Sequence, residues 1–126
     1  RLDFATPRKH DGFLGSGGVI VANRSRCMVR FAAGAVHFYA GESCGKCFPC
    51  RIGTTRLRER LEAAVSFERV DVAELRELIE IVATGAACGL GPAAALVTRH
   101  LLAHFEDELQ AHVRDGRCPS GECGGD

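Results

Sequence analysis

Three cysteines, each two residues from the next, stand in the stretch "ESCGKCFPCRIG": Cys44, Cys47 and Cys50. At this spacing a short loop can turn three thiolates towards one point, which is how a cubane iron–sulfur cluster takes its first three ligands. The fourth iron needs a thiolate from elsewhere. The best remote candidate is Cys88, in the glycine-rich stretch "ACGLGP". Zinc can take the same four cysteines, but structural zinc more often uses paired C-x2-C hooks, and an even triple favours the cubane. A radical enzyme using adenosylmethionine has a different triple spacing and a larger barrel. Lys46 and Arg51 lie in the same loop. Positive charge there favours a reduced cluster and raises its potential; the plain alternative is that both are solvated. Four cysteine ligands with no open position suit electron transfer rather than substrate chemistry.

Three cysteines remain: Cys27, Cys118 and Cys123. The last two form "CPSGEC", a turn that brings two thiolates together, and His112 lies six residues before Cys118. If the start of the first helix meets the end of the last, Cys27, His112, Cys118 and Cys123 make a Cys3His set suited to structural zinc, pinning the tail to the bundle. The alternative is free thiols and a surface histidine, with Cys27 as a small core residue. His100 and His104 are spaced i, i+4, as a metal pair or as ordinary helix residues. His10 and His37 have no companions that make a case.

The elements that must position these groups read mainly as helices. The chain has 126 residues, no tryptophan, one tyrosine and zero formal net charge. That length suits one small domain. Seven cysteines without secretory features argue for metal rather than disulfides. The charge balance gives no support for nucleic acid as the main partner. Arg51, Arg56, Arg58 and Arg60 form a basic stripe, but Glu59 and Glu62 interrupt it and no aromatic residues interleave. No run of about 18 apolar residues predicts a transmembrane helix, and no signal peptide is visible. The opening on Arg1 reads as part of something longer or as a processed chain.

Residues 1 to 12 read as polar and irregular. "GSGG" reads as a turn feeding a short strand, Val19 to Ala22, rather than as a phosphate loop. A first helix is expected within 23 to 42, with Ser25 as N-cap, Met28, Phe31, Ala32, Ala35, Val36 and Tyr39 as its apolar face, and Gly41 as its end. The second runs on from the cysteine loop, with Leu57, Leu61, Ala64 and Val65 inward and ion pairs on the other face. The third covers 71 to 84, capped by Asp71 with Glu74 three residues on. The fourth runs from about Pro92 to Val113, and Gly116 stops it. A hairpin of the last two helices would carry the Cys88 loop back to the cysteine triple. The expected fold class is mainly α: a four-helix bundle preceded by a short strand, with an irregular cysteine-bearing C-terminal tail. The expected division is a junction segment (1–24), an iron–sulfur four-helix bundle (25–115) and the CPSGEC tail (116–126).

"ESCGKCFPCRIG", the later "CGLG" and the preceding "GSGGVIV" together resemble the C-terminal iron–sulfur domain of the flavoprotein subunit of NADH dehydrogenase. The same module is similar in NAD-linked hydrogenases and NAD-dependent formate dehydrogenases. The resemblance covers nearly the whole chain, including "HFEDE" from His104. It implies a four-helix bundle with one [4Fe-4S] cluster on Cys44, Cys47, Cys50 and Cys88. It further implies a larger preceding domain that binds FMN and NAD(H), and electrons passing singly to further subunits. Nothing in this chain matches the family's flavin and nucleotide segment, so FMN and NAD(H) are expected only on a missing domain or a partner. The "CPSGEC" tail looks more like the soluble hydrogenase and formate dehydrogenase relatives, which implies a cytoplasmic complex. The competing function class is a zinc-stabilised structural or interaction module without a redox role.

Overall fold

The computed structural model describes residues 3, 5–9 and 12–124. Among the described residues six helices follow one another: α1 (Thr6–Lys9), α2 (Met28–Gly41), α3 (Phe48–Val65), α4 (Val72–Gly85), α5 (Leu90–His104) and α6 (Glu106–Asp115). The bundle is made by α2 to α5. α2 and α4 each pack against both α3 and α5, and α6 reaches α2, α3 and α5. Its core is Val29 and Val36 of α2, Leu57 and Leu61 of α3, Leu75 and Val82 of α4, Ala95 of α5 and Leu109 of α6, all fully buried. Each buried leucine contributes about 1.5–3 kcal/mol over an exposed one.

Several elements differ from the sequence expectation. No strand forms among the described residues. Val19, Ile20 and Val21 have the β-branched composition of one, but lie 76–90% exposed. A strand requires a neighbour to take its backbone hydrogen bonds, and none of the described residues offers one. Residues 1 to 12 are not wholly irregular. Thr6–Lys9 forms one helical turn, with the Asp3 carboxylate accepting from the Ala5 and Thr6 N–H groups at 3.0 and 2.7 Å.

Ser25 does not cap α2. Its N–H and hydroxyl both donate to the Asn23 side chain, at 3.1 and 2.6 Å. The N-cap is Cys27, whose Sγ accepts from the Arg30 N–H at 3.3 Å. The inward face of α2 is correspondingly rotated: Val29 and Ala33 join Ala32 and Val36, while Phe31 is 43% exposed. α3 and α4 follow expectation more closely. Asp71 caps α4 by accepting from the Ala73 N–H at 2.8 Å, and Leu57, Leu61 and Ala64 point inward.

The expected fourth helix is two. α5 begins at Leu90 and stops at Phe105, where φ −137° and ψ 28° leave the helical region. α6 opens at once with Glu106, Asp107 and Glu108 in its first turn. Three carboxylates at a helix N-terminus are favourable, whereas in mid-helix they would repel one another. Gly116, at φ 63°, then ends α6 in the left-handed conformation. His10 lies outside the described residues.

Close approaches at one end of the bundle set the position of the Cys88 loop. A Cβ at Gly53 in α3 would overlap the Val82 side chain of α4. A Cβ at Gly91 in α5 would overlap Ala86, and one at Gly85 would press on Pro49 at 3.0 Å. Glycine inside a helix costs about 1 kcal/mol relative to alanine. At Gly53 and Gly91 that cost is offset by letting α3, α4 and α5 converge where the α4–α5 turn carries Cys88.

Candidate metal centres

The cysteine triple spans the turn from α2 into α3. Gly45 takes φ 75°, which a side chain would resist, and its carbonyl accepts from the Arg51 guanidinium at 2.9 Å. Cys47 is the N-cap of α3 and Pro49 occupies its first turn. Cys50 is buried in that turn, and its Sγ lies 3.3 Å from the Ser43 hydroxyl. Cys44, Cys47, Cys50 and Cys88 line one hollow of about 120 Å³, together with Glu42, Ser43, Gly45, Lys46 and Leu90. The backbone N–H of Ala87, next to Cys88, is the chief influence holding the Cys47 thiol below its ordinary value, followed by that of Cys50. Cys44 and Cys88 are exposed at the rim. Organic ligands usually occupy clefts of about 300–1,000 Å³. This smaller, thiol-lined hollow fits a compact inorganic group, and the helix N-terminus directs N–H dipoles at its sulfurs.

A second group forms at the far end of α2, about 20 Å away by the length of that 14-residue helix. One ligand atom each from Cys27, His112, Cys118 and Cys123 lies within 4.8 Å of all the others. Cys27 and His112 are fully buried, and Cys118 is 7% exposed. His112 Nδ1–H donates to the Ala64 carbonyl at 3.1 Å, which leaves the Nε2 lone pair facing Cys27 Sγ at 3.4 Å. The imidazole stacks on Phe67, with ring centroids 5.2 Å apart. Phe67 itself holds φ 61°, a strained value for a bulky residue, where it closes α3. Burial pushes the Cys27 and Cys123 thiols up. Burial also opposes ionisation of Cys118, but hydrogen bonds, chiefly from the Ser120 hydroxyl and the Cys123 N–H, outweigh it and bring Cys118 down to about 6.

The other sequence candidates remain apart from these groups. The His100 and His104 rings lie 5.8 Å apart and tilted. His37 does have a companion: its Nδ1 lies 2.9 Å from Glu62. The basic stripe of α3 is largely paired, Arg56 with Glu59, Arg58 with Glu62 and Arg60 with Glu74. Two residues take a role that their motifs, "HFEDE" and "CPSGEC", did not reveal. Glu108 accepts from the Met28 N–H at 2.8 Å, and Glu122 accepts from the Cys27 N–H at 2.6 Å. Both satisfy orphan donors of α2 from more than 75 residues away in sequence.

The family model for the NADH-ubiquinone oxidoreductase-F iron–sulfur binding region matches residues 30–112, which include the triple and Cys88. The chain belongs to this family. Among curated relatives of this iron–sulfur region, an F-type subunit of the NADH-quinone oxidoreductase of Rhizobium meliloti (strain 1021) is 39% identical over 94% of the chain. The NADP-reducing hydrogenase subunit HndC of Solidesulfovibrio fructosivorans is 36% identical over 97%. The chain covers 28% and 25% of these two proteins, about a quarter of their length. Among solved structures, an NAD+-reducing [NiFe]-hydrogenase in its H2-reduced state superposes with a TM-score of 0.74 at 32% identity, over 78% of this chain and 18% of that one. Among the described residues no helix is long and apolar enough to cross a membrane.

Proposed function

We propose that this chain is the electron-transfer iron–sulfur domain of an NAD(P)-linked flavin oxidoreductase complex of the NADH dehydrogenase, hydrogenase or formate dehydrogenase type. Cys44, Cys47, Cys50 and Cys88 would hold one [4Fe-4S] cluster. The observation that carries the reading is the gathering of these four thiols around one small hollow by a family member's converging helices. When bound, such a cluster supplies one-electron transfer between FMN and further iron–sulfur centres. The protein's part is to fix the thiolates, donate backbone N–H groups to their sulfurs and keep one side open. Lys46 and Arg51 add positive charge at the rim and favour the more negative, reduced state. Phe48 and Ile52, 66% and 40% exposed on the first turns of α3, offer an apolar edge for a neighbouring subunit that carries flavin or iron–sulfur centres. FMN and NAD(H) are assigned to the remainder of the polypeptide or to a partner, and the complex to the cytoplasm.

The test is iron and acid-labile sulfide content of the full polypeptide purified anaerobically, beside its low-temperature EPR spectrum after dithionite. About four irons and four sulfides per chain with a reduced cubane signal are expected. Zinc in place of iron at this group, persisting after reconstitution, would replace the electron-transfer reading with that of a zinc-stabilised interaction module.

A further inference from the structure

We infer that Cys27, His112, Cys118 and Cys123 hold one tetrahedral zinc ion whose role is structural, clasping the tail and α6 onto the N-terminus of α2. Three of these four residues lie outside the 30–112 stretch that the family model matches, so the iron–sulfur assignment does not account for them. The donors come from separate parts of the chain: the N-cap of α2, the last turn of α6 and both ends of "CPSGEC".

The geometry fits zinc. With Zn–S at about 2.3 Å and Zn–N at about 2.0–2.1 Å, tetrahedral donors stand about 3.5 Å apart for sulfur and nitrogen and about 3.8 Å for two sulfurs. Cys27 Sγ and His112 Nε2 are 3.4 Å apart, and no pair in the group exceeds 4.8 Å. A contraction of about 1 Å at most completes the shell. The Ala64 carbonyl fixes the tautomer that presents a neutral Nε2, as the outer partner of a metal-bound histidine does.

The surroundings are built to close the tail over this point. Gly116 and Gly121 take φ 63° and 75°, and the Gly121 N–H donates to the Cys118 carbonyl at 3.0 Å, folding the second half of the motif back. Glu122, between the two turns and α2, accepts from the Cys27 N–H and pairs with Arg26 at 3.1 Å. The Arg30 guanidinium donates to the Glu122 carbonyl at 3.4 Å.

All three sulfurs bind as thiolates, and the thiol protons still present leave to solvent. Zn²⁺ with three thiolates and a neutral imidazole carries one net negative charge, placed at the positive end of α2 beside Arg30. Four protein donors leave no open position for substrate, which makes the site structural rather than catalytic.

The decisive experiment is elemental analysis with zinc X-ray absorption on the full polypeptide purified anaerobically. One zinc per chain beyond the iron is expected, with about three sulfurs at 2.3 Å and one nitrogen at 2.0–2.1 Å. In the Cys118→Ser/Cys123→Ser variant the zinc should be lost and the iron kept. If that variant does not fold, His112→Cys should retain zinc with an all-sulfur shell. Iron in this shell, a Cys118–Cys123 disulfide in the anaerobic protein, no stoichiometric zinc, or zinc unchanged in the double variant would each overturn the inference. Iron content reads the other cysteine group independently, so failure of one assignment does not imply failure of the other.

Discussion

The two cysteine groups sit at opposite ends of α2 and are built in opposite ways. At the α2–α3 turn the thiols lie on a short loop with an exposed rim, and the helices converge on glycine to bring Cys88 near. At the other end three of the four donors are buried, with Cys123 half-buried, and the group is drawn from distant parts of the chain and tied by two remote carboxylates. A group that exchanges electrons with neighbours gains from an open side. A group that holds structure together gains from exclusion of water and competing ligands. The same bundle supplies both because its two ends are made of different materials: tight local turns at one, long-range contacts at the other.

This contrast can be broken in graded ways. The largest effect is expected from Cys50→Ala, which should abolish iron binding, read by iron and sulfide analysis, while leaving zinc content unchanged. Loss of both metals would show that the ends are not independent. Next, removing zinc with a chelator under anaerobic conditions should release the tail. Limited proteolysis beyond Gly116 should then accelerate many-fold, with the EPR signal of the reduced protein retained. Gly53→Ala sets a helix-propensity gain of about 1 kcal/mol against overpacking on buried Val82, which costs about 1–3 kcal/mol. A net loss of up to about 2 kcal/mol in denaturant unfolding is expected, with lower iron occupancy. Glu108→Ala removes an acceptor from the start of α2 and should cost about 1 kcal/mol. The smallest effect is expected from Arg76→Ala. It breaks an exposed pair with Glu106 at 3.2 Å and should change stability by less than about 0.5 kcal/mol, the difference vanishing in high salt.

Local signals in the sequence carried the features that local chemistry determines. Asp71 followed by Glu74 marks the start of α4, the leucine spacing marks the inner face of α3, and Gly116 marks the end of α6. The cysteine triple and the loop around Cys88 are equally local. What local signals could not settle depends on distant partners. Val19–Val21 has the composition of a strand, but composition cannot supply the strand beside it. Asn23 holds Ser25 in a turn two residues ahead of Cys27, the residue that caps α2. Glu108 and Glu122 look like any surface acids until the fold brings them to α2. The break at Phe105 did leave a trace, because "FEDE" after an apolar helical run has the character of a helix beginning.

That break also divides the molecule's resistance to fluctuation. α6 is ten residues long, too short to persist in water unaided. Its amide protons are therefore shielded only while it stays docked. Because His112 rides on this helix, deuterium uptake across 106–115 should report the lifetime of the clasp from minutes to hours, while α3 and α4 exchange only with global opening.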